Sequence, residues 1–129
     1  MKLNSILVID DSKYDLFIAT EMLSDYCDVK EVVCVDSAQK GIEYLQSKEN
    51  MPEELPEYIF LDIKMPLMDG FDFLNLYNQL SDTIKKHCKI YMLSSSLDPT
   101  DIAKAKNNNN VIDFIEKPLS EEHIGKLFN

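Results

Sequence analysis

Three aspartates, a serine and a lysine stand where they could share one site. Asp10 and Asp11 follow an apolar run at residues 6–9 and Asp62 follows a run at 58–61. Ser94 follows a run at 90–93, and Lys117 with Pro118 follows one at 111–115. Three carboxylates in one place repel one another unless a cation sits among them, and hard oxygen ligands with room for water suit Mg²⁺. A carboxylate held beside such an ion can attack phosphorus and become an aspartyl phosphate. The charge on the phosphoryl oxygens then calls for a hydroxyl donor and a fixed cation, for which Ser94 and Lys117 are the candidates.

That chemistry requires an architecture that brings the ends of these runs together. With residues 32–35 there are five such runs, rich in apolar and β-branched residues and separated by about one strand plus one helix, so they read as strands. In the first helical segment Tyr14, Ile18 and Met22 stack at i, i+4, i+8 beside Leu16, Ala19 and Leu23. The second is bounded by a capping-box pattern, Asp36 with Gln39, and carries Ala38, Ile42 and Leu45. A third starts near Gly70 and runs through Phe71, Leu74 and Tyr77. The fourth opens with Asp98 as N-cap and Pro99 in the first turn. The fifth follows Ser120, with Glu121 and Glu122 near the positive end of its dipole and Ile124, Leu127 and Phe128 facing inward.

Strict alternation of strand and helix, with strands apolar on both faces, predicts a doubly wound α/β domain. Its five-stranded parallel sheet is covered by helices on each side through right-handed crossovers. Ligands of such sheets bind outside the carboxyl ends of the strands, which is where all the candidate residues fall. Residues 48–57, with Pro52 and Pro56, predict an exposed loop. Residues 107–110, all asparagine, predict a helix stop and a turn in the left-handed conformation.

Composition narrows the function further. At 129 residues the chain fits one domain able to bury a core of its own. Thirteen basic against 23 acidic residues give a net charge of -10, which opposes direct contact with nucleic acid or an anionic lipid surface. Cys27, Cys34 and Cys88 are odd in number and contain no C-x-x-C pair, so they predict reduced thiols in a cytoplasmic protein. The first apolar run is too short for a signal peptide or a membrane span. Neither G-x-G-x-x-G nor a P-loop follows the first strand, which disfavours nucleotide binding.

The acidic pair, the run from Asp62 to Gly70 that reads D-I-K-M-P-L-M-D-G, the hydroxyl at Ser94 and the Lys117-Pro118 pair resemble, in order and spacing, the response-regulator receiver family. The resemblance covers the whole chain, taken as one receiver domain over residues 1–129. It implies a (βα)5 flavodoxin-like fold with strand order 2-1-3-4-5. It implies Asp62 as phosphoacceptor, Asp11 and Asp62 as Mg²⁺ ligands, Asp10 as a ligand through water, and the Lys64 backbone carbonyl as a further ligand. Ser94 and Lys117 would bind phosphoryl oxygens, Ser94 and Phe114 would form the switch, and the bond joining Lys117 to Pro118 would be cis. The implied donor is a histidine kinase or a histidine phosphotransfer protein. The signal would leave by protein contact from the face of the fourth helix, fifth strand and fifth helix, with pairing to a second copy left open. Catalysis would be confined to the domain's own phosphorylation and dephosphorylation.

The sequence departs from the family pattern at Ser94, where threonine is commoner, and at Asn110 and Val111, where small residues are usual. Lys64 and Ser96 occupy the two positions at which the family tunes dephosphorylation. Taken singly, Asp10 and Asp11 are a strand-end turn, Lys117 a surface lysine before a turn proline, Phe114 plain core and Gly70 a helix-start glycine. His87 and His123 read as surface residues, and Met65, Met68 and Met92 as packing. Two other functions fit the same residues: a receiver-shaped interaction module without phosphorylation, and a haloacid-dehalogenase-like phosphatase or phosphotransferase. The latter needs a second acid two residues after the nucleophile, where this chain has Lys64.

Overall fold

The computed structural model describes residues 2–95 and 98–128. Strands β1 (Leu3–Ile9), β2 (Val29–Val35), β3 (Tyr58–Asp62), β4 (Lys89–Ser94) and β5 (Val111–Glu116) form one parallel sheet in the order β2-β1-β3-β4-β5. Helices α1 (Lys13–Tyr26) and α6 (Glu121–Phe128) cover one face. Helices α2 (Ala38–Ser47), α3 (Gly70–Tyr77), α4 (Asp82–His87) and α5 (Pro99–Lys106) lie toward the other. The central strands are apolar on both faces because both are covered: every residue of β3 is buried, as is all of β4 after Lys89. The edge strands β2 and β5 are half exposed, so double-sided burial holds only for the middle of the sheet.

Several local expectations need correction. The alternation is not strict, since α3 and α4 both lie between β3 and β4. Helix α4 has one buried residue, Ile84, and is started by Ser81, whose hydroxyl accepts the Ile84 N–H. The cap of α2 is Ser37, which accepts the Lys40 N–H, and no Asp36–Gln39 box forms; Asp36 pairs with Lys40 instead. Residues 48–57 contain a 3-10 turn (Pro52–Glu54) followed by Leu55, which is fully buried as part of the core on the α2–α5 face of the sheet. None of Asn107 to Asn110 is left-handed. Asn107 ends α5, and Asn108 Oδ1 accepts the Asn110 N–H at 2.9 Å. The left-handed residue among those described is Leu67, at φ 67° and fully exposed.

Helix α1 turns most of the expected stripe inward, with Leu16 and Met22 half-buried against the core, and departs from it at Tyr14. Ala19 and Leu23 enter the core, while Tyr14 is 72% exposed and lines a groove with Ile18, Met22 and Tyr26 against the segment that follows β5. In β5 a bulge opposite Ile90 and Tyr91 inserts Ile112, which leaves that side chain exposed and returns Phe114 to the core side opposite Met92.

Candidate functional site

The strands end flush, and this places the candidate residues together. Ile9 is in register with Leu61, so Asp10 and Asp62 leave adjacent strands at the same level. The Asp10 N–H bonds to the Val35 carbonyl, and Ser94, the last residue of β4, receives the Lys117 N–H on its own carbonyl at 2.9 Å. Asp10, Asp62 and Ser94 are buried, whereas Asp11 is exposed. One oxygen each from Asp10, Asp11 and Asp62 lie within 4.8 Å of one another, a spacing that could hold a metal ion.

Loop chemistry fixes these side chains. Asp10 Oδ1 accepts the Ser12 N–H, and Ser12 caps α1 by accepting the Asp15 N–H, so the turn after β1 is closed by its own residues. Across the site Asp69 and Asp72 form a reciprocal capping box at the start of α3. Gly70 is more than a helix-start residue. A Cβ there would meet the Asp62 carbonyl oxygen at 2.6 Å, so only glycine lets α3 start against the end of β3.

Lys117 reaches into the cluster from the loop after β5, where its peptide bond to Pro118 is cis. Its Nζ donates to Asp10 Oδ2 at 2.6 Å and to Asp15 Oδ2 at 2.8 Å, and it lies 3.3 Å from Asp62 Oδ1. Burial alone would lower the Lys117 pKa, but the hydrogen bonds with Asp10 and Asp15 and the charge of Asp62 outweigh it and hold the ammonium above its ordinary value. Asp62 moves the other way for a carboxyl group. Burial first and the Asp10 charge second push it up to about 7, against the pull of Lys117 and the Lys64 backbone N–H. A buried acid raised by a like charge is the condition that a divalent cation relieves.

Asp15 was not among the residues singled out from sequence. As an acid in the first turn of α1 it reads as a helix-dipole residue, and its contact with Lys117 spans 102 positions of the chain. His123, read as surface, has its ring Nδ1 accepting the Ser120 N–H while Ser120 Oγ accepts the His123 N–H, a capping box that starts α6. His87 is half-buried, with Nε2 enclosed and without a partner. Lys64 lies 3.3 Å from Asp101 in the first turn of α5, and Phe114 is half-buried among the core residues beside β4. Ser96 lies outside the described residues.

A family model for the response regulator receiver domain matches residues 6–129. The chain belongs to the response regulator receiver family. It is similar to the rice protein described as two-component response regulator ORR1, with 32% identity over 126 residues that make up 96% of this chain and 53% of that protein. A match to Histidine kinase 3 of Arabidopsis thaliana, 33% identical, covers 65% of this chain and 7% of the kinase. The receiver thus spans about half the length of the rice regulator. Among solved structures it superposes on a two-component response regulator from Cytophaga hutchinsonii with a TM-score of 0.92 and 32% identity, covering 100% of this chain and 96% of that one. The chain is a receiver domain of the two-component type, and relatives of it occur within histidine kinases. Among the described residues no helix is long and apolar enough to cross a membrane.

Proposed function

We propose that Asp62 accepts a phosphoryl group from a phosphohistidine of a histidine kinase or histidine phosphotransfer protein, and that residues 1–129 act as one cytoplasmic receiver that signals by altered protein binding. The observation that carries this reading is the buried approach of Lys117 Nζ to Asp62 beside a second and a third carboxylate. In the transfer, an Asp62 carboxylate oxygen forms the new O–P bond while the P–N bond breaks and its electron pair leaves with the imidazole. Asp62 must be ionised to attack, and Lys117 offsets the charge that gathers on the phosphoryl oxygens. Ser94, buried at the end of the neighbouring strand, contributes its hydroxyl to the same group.

The donor set fits Mg²⁺: oxygen ligands only, close together, with Asp62 resisting ionisation first because it is buried and second because of the Asp10 charge. Asp11 and Asp62 would hold the ion directly, Asp10 through water and Lys64 through its carbonyl, and the ion would supply charge neutralisation at the phosphoryl group. Chemistry is confined to the domain's own phosphorylation and dephosphorylation. Ser94 and Phe114, on adjacent strands, carry the switch toward the surface of α5, β5 and α6, where a downstream protein or a second copy of the domain would bind.

Calorimetric titration with MgCl₂ tests the assignment. The unsubstituted protein binds one Mg²⁺, and Asp11→Asn and Asp62→Asn each weaken binding at least about tenfold, the usual effect of losing one charged ligand. Unchanged affinity in either variant would remove that residue from the metal set. No binding by the unsubstituted protein would favour the interaction-module reading.

A further inference from the structure

Lys117 has more partners than the proposed phosphoryl chemistry uses. An ammonium has three hydrogens, and three carboxylates surround this one, Asp10 at 2.6 Å, Asp15 at 2.8 Å and Asp62 at 3.3 Å. Asp62, the acceptor in the proposal above, is the most distant of them. Asp10 and Asp62 belong to the acidic cluster, and Asp15 does not. Asp15 approaches from the solvent side. Its side chain is 36% exposed against 2% for Asp10 and 6% for Asp62, and Lys117 is 11% exposed between them. The Asp15 N–H is held by the Ser12 hydroxyl, which anchors the residue beside the pocket mouth.

Resting on the phosphoacceptor reading, we infer that Asp15 is a positioning residue that draws the Lys117 ammonium back from Asp62, so that a phosphoryl group on Asp62 must compete with Asp15 for it. Asp15 thereby sets how strongly Lys117 engages the phosphorylated state. A brace would have the opposite consequence, because its loss would weaken the grip of Lys117 on the phosphoryl group. The distances favour restraint, since the ammonium sits nearer to Asp15 than to the residue on which it is proposed to act.

The test is the affinity for beryllofluoride, a phosphoryl mimic, in saturating Mg²⁺. Asp15→Asn preserves size and helix start but removes the charge, and it is expected to tighten binding about three- to fivefold, the scale of one partly exposed charge contact. Asp15→Ala should move in the same direction. Glu121→Gln removes a carboxylate from the same groove without touching Lys117 and should leave the affinity unchanged. Before any mimic is added, the Lys117 ammonium resonance in a ¹⁵N-lysine spectrum should shift in Asp15→Asn and stay in place in Glu121→Gln. A merely structural role in the first turn of α1 would loosen the pocket and weaken binding, the opposite sign. Unchanged or weaker binding in both Asp15 variants, or equal tightening in Glu121→Gln, would overturn the inference. Absence of beryllofluoride binding by the unsubstituted protein would overturn the phosphoacceptor reading, and the inference with it.

Discussion

At the carboxyl end of the sheet Asp10, Asp62 and Ser94 are buried together, and the ammonium that serves the two acids is shared with a third. At the amino end, Glu57 spends its carboxylate on the backbone N–H groups of Asn4 and Ser5 at 3.0–3.1 Å. There Tyr58 packs edge-on against Phe128 with ring centroids 4.8 Å apart. One end spends its carboxylate on backbone N–H groups beside an aromatic cluster; the other concentrates like charge where burial makes it costly. The misfits at the amino end are small: Ser5 Oγ and His87 Nε2, both enclosed without a partner. The contrast teaches that the same strands concentrate uncompensated charge at one end and keep it out of the other, so that perturbations at the charged end should cost most.

Four substitutions or conditions can break or sharpen that contrast. The largest effect is expected from Lys117→Met, which leaves Asp10 and Asp62 facing each other without their shared cation. Urea unfolding without Mg²⁺ should show a loss of about 3 kcal/mol, the scale of breaking a buried ion pair, and Mg²⁺ should recover part of it. Next is the metal itself. Asp62 is raised from 3.8 to about 7 in the folded protein, so between those values the folded state keeps a proton that the unfolded state has lost. Stability without Mg²⁺ should therefore fall as pH rises from about 4 to about 7. At pH 8, Mg²⁺ at roughly a hundred times its Kd should add about 2–3 kcal/mol in the same unfolding assay.

Gly70→Ala should cost about 1–3 kcal/mol by thermal unfolding, because the added methyl meets the Asp62 carbonyl. It should also slow phosphorylation by displacing the acceptor. The smallest effect belongs to the amino end. Ser5→Ala removes an unpartnered hydroxyl and should stabilise the protein by roughly 0.5–1 kcal/mol without changing its phosphorylation, whereas a loss of stability would mean that the hydroxyl has a partner.

The central strands and the convergence of the candidate residues were legible in sequence for one physical reason. Residues buried on both faces must be continuously apolar, so the first polar residue after each run marks the carboxyl edge, as Asp10 and Asp62 do. Other features were decided by contacts the local pattern does not carry. In α1 the helical stripe is right in outline, with Ala19 and Leu23 fully buried and Leu16 and Met22 packed against the core, but Tyr14 at its start is left exposed. Helix α4 is six residues with a single apolar anchor, too short for periodicity to reveal. The cap of α2 moved one residue, from Asp36 to Ser37, within the ordinary ambiguity of adjacent capping residues. Asp15 looked local, and its significance lies in a lysine from the far end of the chain.

The most direct test of the central claim is intact mass after incubation with acetyl phosphate and Mg²⁺, followed by borohydride trapping and peptide mapping. One labile phosphoryl group on Asp62, absent from Asp62→Asn and from the metal-free sample, is the predicted result. An adduct on another residue, or none at all under these conditions, would contradict it.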